Sequence, residues 1–245
     1  MPQNTDHSKD IRKAVKFYWQ TKSSALAKNK TGAKADQGKR GGTTAGKNLD
    51  GFTAMLIRLI KKIAPKELEI YENKGNVALP GHFRPSKQWD LVLMFKGRLI
   101  AALELKSLGG PSFGNNANNR CEEALGSGID FSVAQREGLF GAGASPFIGY
   151  FILVEDAEGS RKEPKRGNPS KHFDADPVFA TASYQHRMRI LCERMTQERI
   201  YTASAVMATT SSCLKTGAYT DLSKETSLNR LIVKLLAHVQ IETSD

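Results

Sequence analysis

The chain has 245 residues, 40% hydrophobic and 25% charged, enough for one well-packed domain, and no apolar run approaches the ~20 residues that cross a bilayer. Basic residues outnumber acidic ones by 36 to 25, a net charge of +11 that favours polyanionic partners, nucleic acid above all. Three scattered cysteines (Cys121, Cys192, Cys213) and five histidines without an H-E-x-x-H exclude a disulfide framework and a transition-metal site, leaving a hard cation held by carboxylates open.

The first 13 residues, MPQNTDHSKDIRK, have no apolar segment behind their charges, so the chain reads as cytoplasmic, with residues 1–9 disordered. Ile11, Ala14, Val15, Tyr18 and Trp19 recur at helical spacing and predict a helix from Ile11 to Ala27. A glycine-rich basic loop over 28–47 carries Lys39, Arg40 and Lys47. Leu49 to Ile63 places Phe52, Met55, Leu56, Leu59, Ile60 and Ile63 on one helical face, and Pro65 ends it. Glu67 to Tyr71 reads as a short strand followed by a Gly75-Asn76 turn.

Trp89 to Phe95 and Leu99 to Lys106, joined by Lys96-Gly97-Arg98, read as a β-hairpin with both arms apolar at consecutive positions, the mark of strands buried on both faces. A glycine- and asparagine-rich loop from Gly109 to Asn119 leads to two helices, Asn119–Gly126 and Asp130–Leu139. Pro146 to Val154 is a buried strand, 157–175 a second basic loop with Lys165 and Arg166, and Tyr184 to Arg199 a helix. Tyr201 to Ala208 is a strand and Ser227 to Val239 a final helix. Together they predict a single α/β domain over 1–245 with a central mixed sheet between helices.

Glu104 and Lys106 stand two apart on a strand and share a face. If Lys96-Gly97-Arg98 is a three-residue loop, Asp90 falls opposite Glu104 and the three side chains converge; a two-residue loop points Asp90 away. Ions inside an apolar hairpin cost several kcal/mol each in lost hydration, so they need compensation. One outcome is a buried ion pair between Lys106 and Glu104 or Asp90. The other is a Mg²⁺ site, with Asp90, Glu104 and the Leu105 backbone carbonyl as ligands. In that case the cation activates water against a phosphate, and Lys106 orients or helps deprotonate that water and offsets transition-state charge.

Asp90 with Glu104-x-Lys106 resembles the PD-(D/E)xK nuclease superfamily, with Trp89 where that pattern has proline. Leu79-Pro80-Gly81-x-Phe83-Arg84-Pro85-x-Lys87-x-Trp89-Asp90, Glu104-x-Lys106-Ser107 and Phe113-Gly114-Asn115-Asn116-x-Asn118-Asn119-Arg120-x-Glu122-Glu123 are similar to the XhoI-type type II restriction endonucleases. The likeness is densest over 79–131. It implies a restriction-endonuclease-like fold and a bacterial homodimer. It also implies Mg²⁺-dependent cutting of double-stranded DNA at CTCGAG after the first C, and a cognate adenine methyltransferase. A junction resolvase or repair nuclease of the same fold, and a non-catalytic DNA-binding protein with a core ion pair, are the rival readings.

Asparagine pairs with adenine and arginine with guanine in the major groove, which makes Asn116, Asn118, Asn119 and Arg120 candidate base readers. The same asparagines are equally suited to capping the following helix and stabilising turns. Arg84 and Lys87, just before Asp90, suit phosphate contacts, with Lys39, Arg40, Lys47, Lys165 and Arg166 as further DNA contacts. Asp50, at a helix start, is either a cap or a further metal ligand, and Glu72 is a weaker candidate for that ligand. Glu122 and Glu123 read as a solvated helix face or salt-bridge partners rather than catalysts. Gly41 to Asn48 nearly matches a P-loop but ends in asparagine with no strand before it.

Overall fold

In the computed structural model, residues 5–31, 48–72, 76–141, 143–164 and 171–244 are described. Helices α1 (Ser8–Thr31) and α2 (Asp50–Lys61) precede strands β1 (Glu69–Glu72), β2 (Ala78–Leu79), β3 (Lys87–Gln88), β4 (Leu91–Phe95) and β5 (Arg98–Leu108). Then come α3 (Phe113–Arg136), β6 (Phe147–Glu155), a single turn α4 (Glu158–Arg161), α5 (Tyr184–Gln197), β7 (Ala203–Thr209), β8 (Thr220–Asp221) and α6 (Leu228–Thr243).

The apolar runs assemble a six-stranded sheet in the order β1-β4-β5-β6-β7-β8, parallel across β5, β6 and β7 and antiparallel elsewhere. This is the mixed α/β architecture predicted from the sequence, consistent with a restriction-endonuclease-like fold. Because the central strands are covered on both sides, β7 is buried at every position and β6 at all but its last. One face packs on α1, α2 and α6 through Trp19, Phe52, Ile60, Leu231 and Leu235. The other packs on α3 and α5 through Phe113, Phe131, Met188 and Met195. Serine caps start the last two long helices: the Ser183 Oγ accepts from the His186 N–H and the Ser227 Oγ from the Arg230 N–H.

The structure corrects the sequence reading in four places. The hairpin turn has two residues, Lys96 and Gly97, both at positive φ, with Phe95 opposite Arg98 and Met94 opposite Leu99. The pairing then slips, so that Leu93 faces Ala101 and Leu91 faces Leu103. Ile100 and Ala101, though consecutive, both belong to the core under α1, α2 and α6, as a β-bulge requires. That one extra residue decides where the charges go. Without it, a two-residue turn would rotate Glu104 and Lys106 into the opposite, apolar core.

Second, the asparagine stretch and the two expected helices are one helix, α3, of 24 residues. Glycine read as a breaker here serves packing: a Cβ on Gly128 would collide with Ile200 and Tyr201, and the Tyr201 hydroxyl donates to the Ala124 carbonyl at 2.9 Å. Third, residues 5–9 are not disordered. His7 is buried, its N–H donates to the Asn229 Oδ1 at 2.8 Å, and α1 begins at Ser8. Fourth, the expected loop over 157–175 contains α4, closed by the Ser160 hydroxyl, which donates to the Glu155 carbonyl.

Candidate active site

Beyond the bulge, the β4–β5 register brings the end of one arm beside the middle of the other. The Asp90 N–H donates to the Leu103 carbonyl at 3.0 Å, and the Asp90 Oδ2 accepts the Leu105 N–H at 2.7 Å. Asp90 is thus fastened across the end of β4, alongside Glu104. Burial pushes its carboxyl above the usual carboxylate range, against the pull of the Leu105 N–H and Lys106.

Glu104 is 2% exposed. Its Oε1 is shared by Lys106 Nζ at 2.7 Å and Lys87 Nζ at 3.0 Å. Burial alone would raise this carboxyl, yet the two ammonium groups hold it below its ordinary value. The expected Glu104–Lys106 ion pair is therefore present. It leaves half of the carboxylate over, because Glu104 Oε2 is buried without a hydrogen-bond partner. A pair that existed only for stability would not bury a second charged oxygen unsatisfied, since that costs more than the pair returns. The spare oxygen, the neighbouring Asp90 carboxylate and the open cleft fit a hard divalent cation. Opposite Glu104 on β6, the hydroxyl of fully buried Tyr150 also lacks a partner.

Lys87 is a site residue that the sequence reading placed only at the phosphate backbone. It projects from β3 with its ammonium 4.8 Å from the Trp89 ring centroid and within reach of Glu104. Two carboxylates and two ammonium groups hence balance at this point. A divalent cation added to them would make the site positive and matched to a phosphate.

A cleft of about 570 Å³ opens over Glu104 and Lys106, bounded by Arg84, Lys87, Glu122, Glu123 and Asp130 among others. Arg84 does not point free at the cleft. Its Nε pairs with Asp130 Oδ2 at 2.7 Å, while Asp130 Oδ1 accepts the N–H groups of His82 and Phe83 at 2.8 Å each. Burial would raise the Asp130 carboxyl, but the Phe83 N–H, Arg84 and the His82 N–H keep it low. Asp130 was missed in the sequence, where nothing links it to a loop 46–48 positions earlier.

The asparagine motif forms the first turns of α3. Asn116 donates to the Gly109 carbonyl at 3.3 Å and Asn118 to Glu122 at 2.7 Å, while Asn119 is exposed. Arg120 donates to the Ser107 carbonyl at 3.2 Å and pairs with Glu123. The helix starts after Ser112 without a side-chain cap, while the half-buried Asn116 ties its first turn to the preceding loop.

Asp50 and Glu72 do not join the pair. Asp50 opens α2, whose apolar residues pack beneath the other face of the sheet. Glu72 sits opposite Leu91, which also belongs to that face. Among the described residues, no group of three or more acids, histidines and cysteines is placed to hold a metal. Lys39, Arg40, Lys47, Lys165 and Arg166 and the near-P-loop up to Lys47 lie outside the described residues.

A family model described as restriction endonuclease XhoI matches residues 28–221. The chain is 39% identical over 221 residues to the type II restriction enzyme BstVI of Geobacillus stearothermophilus, a match covering 88% of this chain and 97% of that protein. It is 42% identical over 192 residues to the type II restriction enzyme XhoI of Xanthomonas vasicola, covering 78% and 75%. It is 44% identical over 168 residues to the type II restriction enzyme AbrI of Azospirillum brasilense, covering 69% and 74%. No solved structure matches.

Proposed function

The chain belongs to the XhoI family of type II restriction endonucleases, site-specific deoxyribonucleases, and on that premise we propose that Asp90, Glu104 and Lys106 form a Mg²⁺-dependent active site that cuts double-stranded DNA at CTCGAG after the first C. The observation that carries the site is Glu104: buried, doubly paired on one oxygen and unsatisfied on the other.

Asp90, the free Glu104 oxygen and the Leu105 carbonyl are the ligands. A residue in a strand turns its N–H and C=O to the same side, and the Leu105 N–H reaches Asp90. A bound Mg²⁺ would neutralise charge on the scissile phosphate and lower the pKa of the attacking water. Lys106, a quarter exposed at the cleft, swings between Glu104 and the reacting group, orienting that water and offsetting charge on the phosphate. Lys87 keeps Glu104 ionised and in place while Lys106 does so. Arg84, Lys87, Arg120 and the asparagines of α3 contact the DNA, helped by Lys39, Arg40, Lys47, Lys165 and Arg166.

A single domain over 1–245 acts as a homodimer, because a palindrome presents two equivalent strands to a two-fold protein. A cognate adenine methyltransferase guards the host site. These last two points rest on the family likeness.

The test compares a plasmid carrying mapped CTCGAG sites with a matched plasmid lacking them, each with and without Mg²⁺. Discrete fragments from the first plasmid, in Mg²⁺ alone, are the expected result. Equal cutting of both plasmids points instead to a structure-directed nuclease of the same fold. Binding without cutting points to a DNA-binding protein with a core ion pair.

A further inference from the structure

The loop after β2 is built to an unusual standard for an exposed segment. One buried carboxylate, Asp130, holds the backbone N–H groups of His82 and Phe83 and the side chain of Arg84. Gly81 has no room for a Cβ beside the same carboxylate. Burying an acid is costly unless its acceptor sites are filled, and here they are filled by the loop. What the loop then presents is Phe83, 72% exposed, edge-on to the His82 ring at a centroid distance of 4.8 Å. An isolated exposed phenylalanine needs no explanation. This one sits on a pinned backbone, at the rim of the cleft that contains Glu104 and Lys106, with half-exposed Ile129 beside it on the same rim. With a divalent cation beside Lys87 and Lys106 the site would accept a phosphate of the duplex, and the apolar rim is left for its bases.

We propose that Phe83 is a DNA-contacting wedge, its ring pressed against a base step next to the scissile phosphate, with Asp130 as the residue that positions it. Apolar side chains pushed into base steps partly unstack them and bend the duplex. Preorganisation by Asp130 means that little order must be acquired on binding. The inference rests on the nuclease reading of the cleft, since it places the scissile phosphate at Glu104 and Lys106.

The experiment measures equilibrium binding of the full chain, without Mg²⁺, to a CTCGAG duplex and to a scrambled duplex, each carrying 2-aminopurine. Phe83→Ala is expected to weaken binding about 10- to 100-fold, the loss found when one base–aromatic contact is removed, and to abolish the fluorescence rise that reports unstacking. Phe83→Leu keeps an apolar wedge and recovers most of both signals. Ile241→Ala, an equally exposed apolar residue on α6, changes neither. Phe83→Ala binding within twofold of wild type with an unchanged fluorescence rise overturns the proposal, as does an equal loss from Ile241→Ala. Asp130→Asn weakens binding in the same way; a melting temperature unchanged in Phe83→Ala shows that its loss is not one of folding. Because the scrambled duplex also reports, failure of the wild type to cut CTCGAG would sink the proposed site and leave the Phe83 comparison standing.

Discussion

The two faces of the central sheet carry different kinds of residue. On one, α1, α2 and α6 close over an apolar core, within which the Trp19 indole donates to the Thr209 hydroxyl at 3.2 Å. On the other, α3 and α5 share the cover with a cleft, and both buried acids of the described residues, Glu104 and Asp130, lie on that side. Incomplete cover is what allows charge to be kept near the sheet without being sealed away from water and substrate. The lesson is that one face holds the fold together and the other is free to be reactive.

The contrast can be broken most forcefully at Glu104. Glu104→Gln is expected to lower single-turnover cleavage by about 10³-fold or more, since it removes the charge that holds the cation and braces both lysines. Folding persists, because the amide keeps the side chain's volume; thermal denaturation beside the cleavage assay checks this. On the opposite face, Phe52→Ala empties a site that meets Phe151 at a ring-centroid distance of 5.0 Å. It should cost about 3–5 kcal/mol of stability in denaturant titration while leaving the cleavage rate of the folded fraction at low temperature close to wild type. If Phe52→Ala abolished cleavage without unfolding the chain, the division between the faces would be wrong.

A smaller effect separates the two carboxylates of the site in metal-free protein. Asp90 has a raised pKa, so at acidic pH the folded state binds its proton more tightly than the unfolded state does, and stability is lost as pH rises through the folded value. Glu104 has a lowered pKa, so its contribution is present above about 4.5 and is lost as pH falls through the folded value. In EDTA at neutral pH, Asp90→Asn should therefore keep or raise the melting temperature, and Glu104→Gln should lower it by a few degrees. Melting curves from pH 4 to 8 check both signs.

How much of this was legible in the sequence depended on distance along the chain. The buried hairpin, the three charged residues inside it and the helix over Leu49 to Ile63 follow from local periodicity, and the structure has them. The turn did not read correctly, because a bulge at Ile100 replaces the three-residue loop; periodicity cannot distinguish two ways of gaining one residue. Helix α3 was split at Gly126 and Gly128, since the demand for a small residue against Tyr201 comes from 73 positions away. Neither the role of Asp130 nor the pairing of Lys87 with Glu104 is legible locally, for the same reason: their partners are brought together only by the fold. The apolar residues of α2 announce a helix, but not which face of the sheet it covers, and so the sequence leaves Asp50 open as a ligand, although it joins no group of three or more acids, histidines and cysteines placed to hold a metal among the described residues.

The most direct measurement is a calorimetric titration of Mg²⁺ into DNA-bound wild type, Asp90→Asn and Glu104→Gln under conditions that prevent cutting. Saturable binding in the wild type, lost in both variants while their melting temperatures remain those of folded protein, is the result this account expects. Binding of equal strength in either folded variant would contradict it.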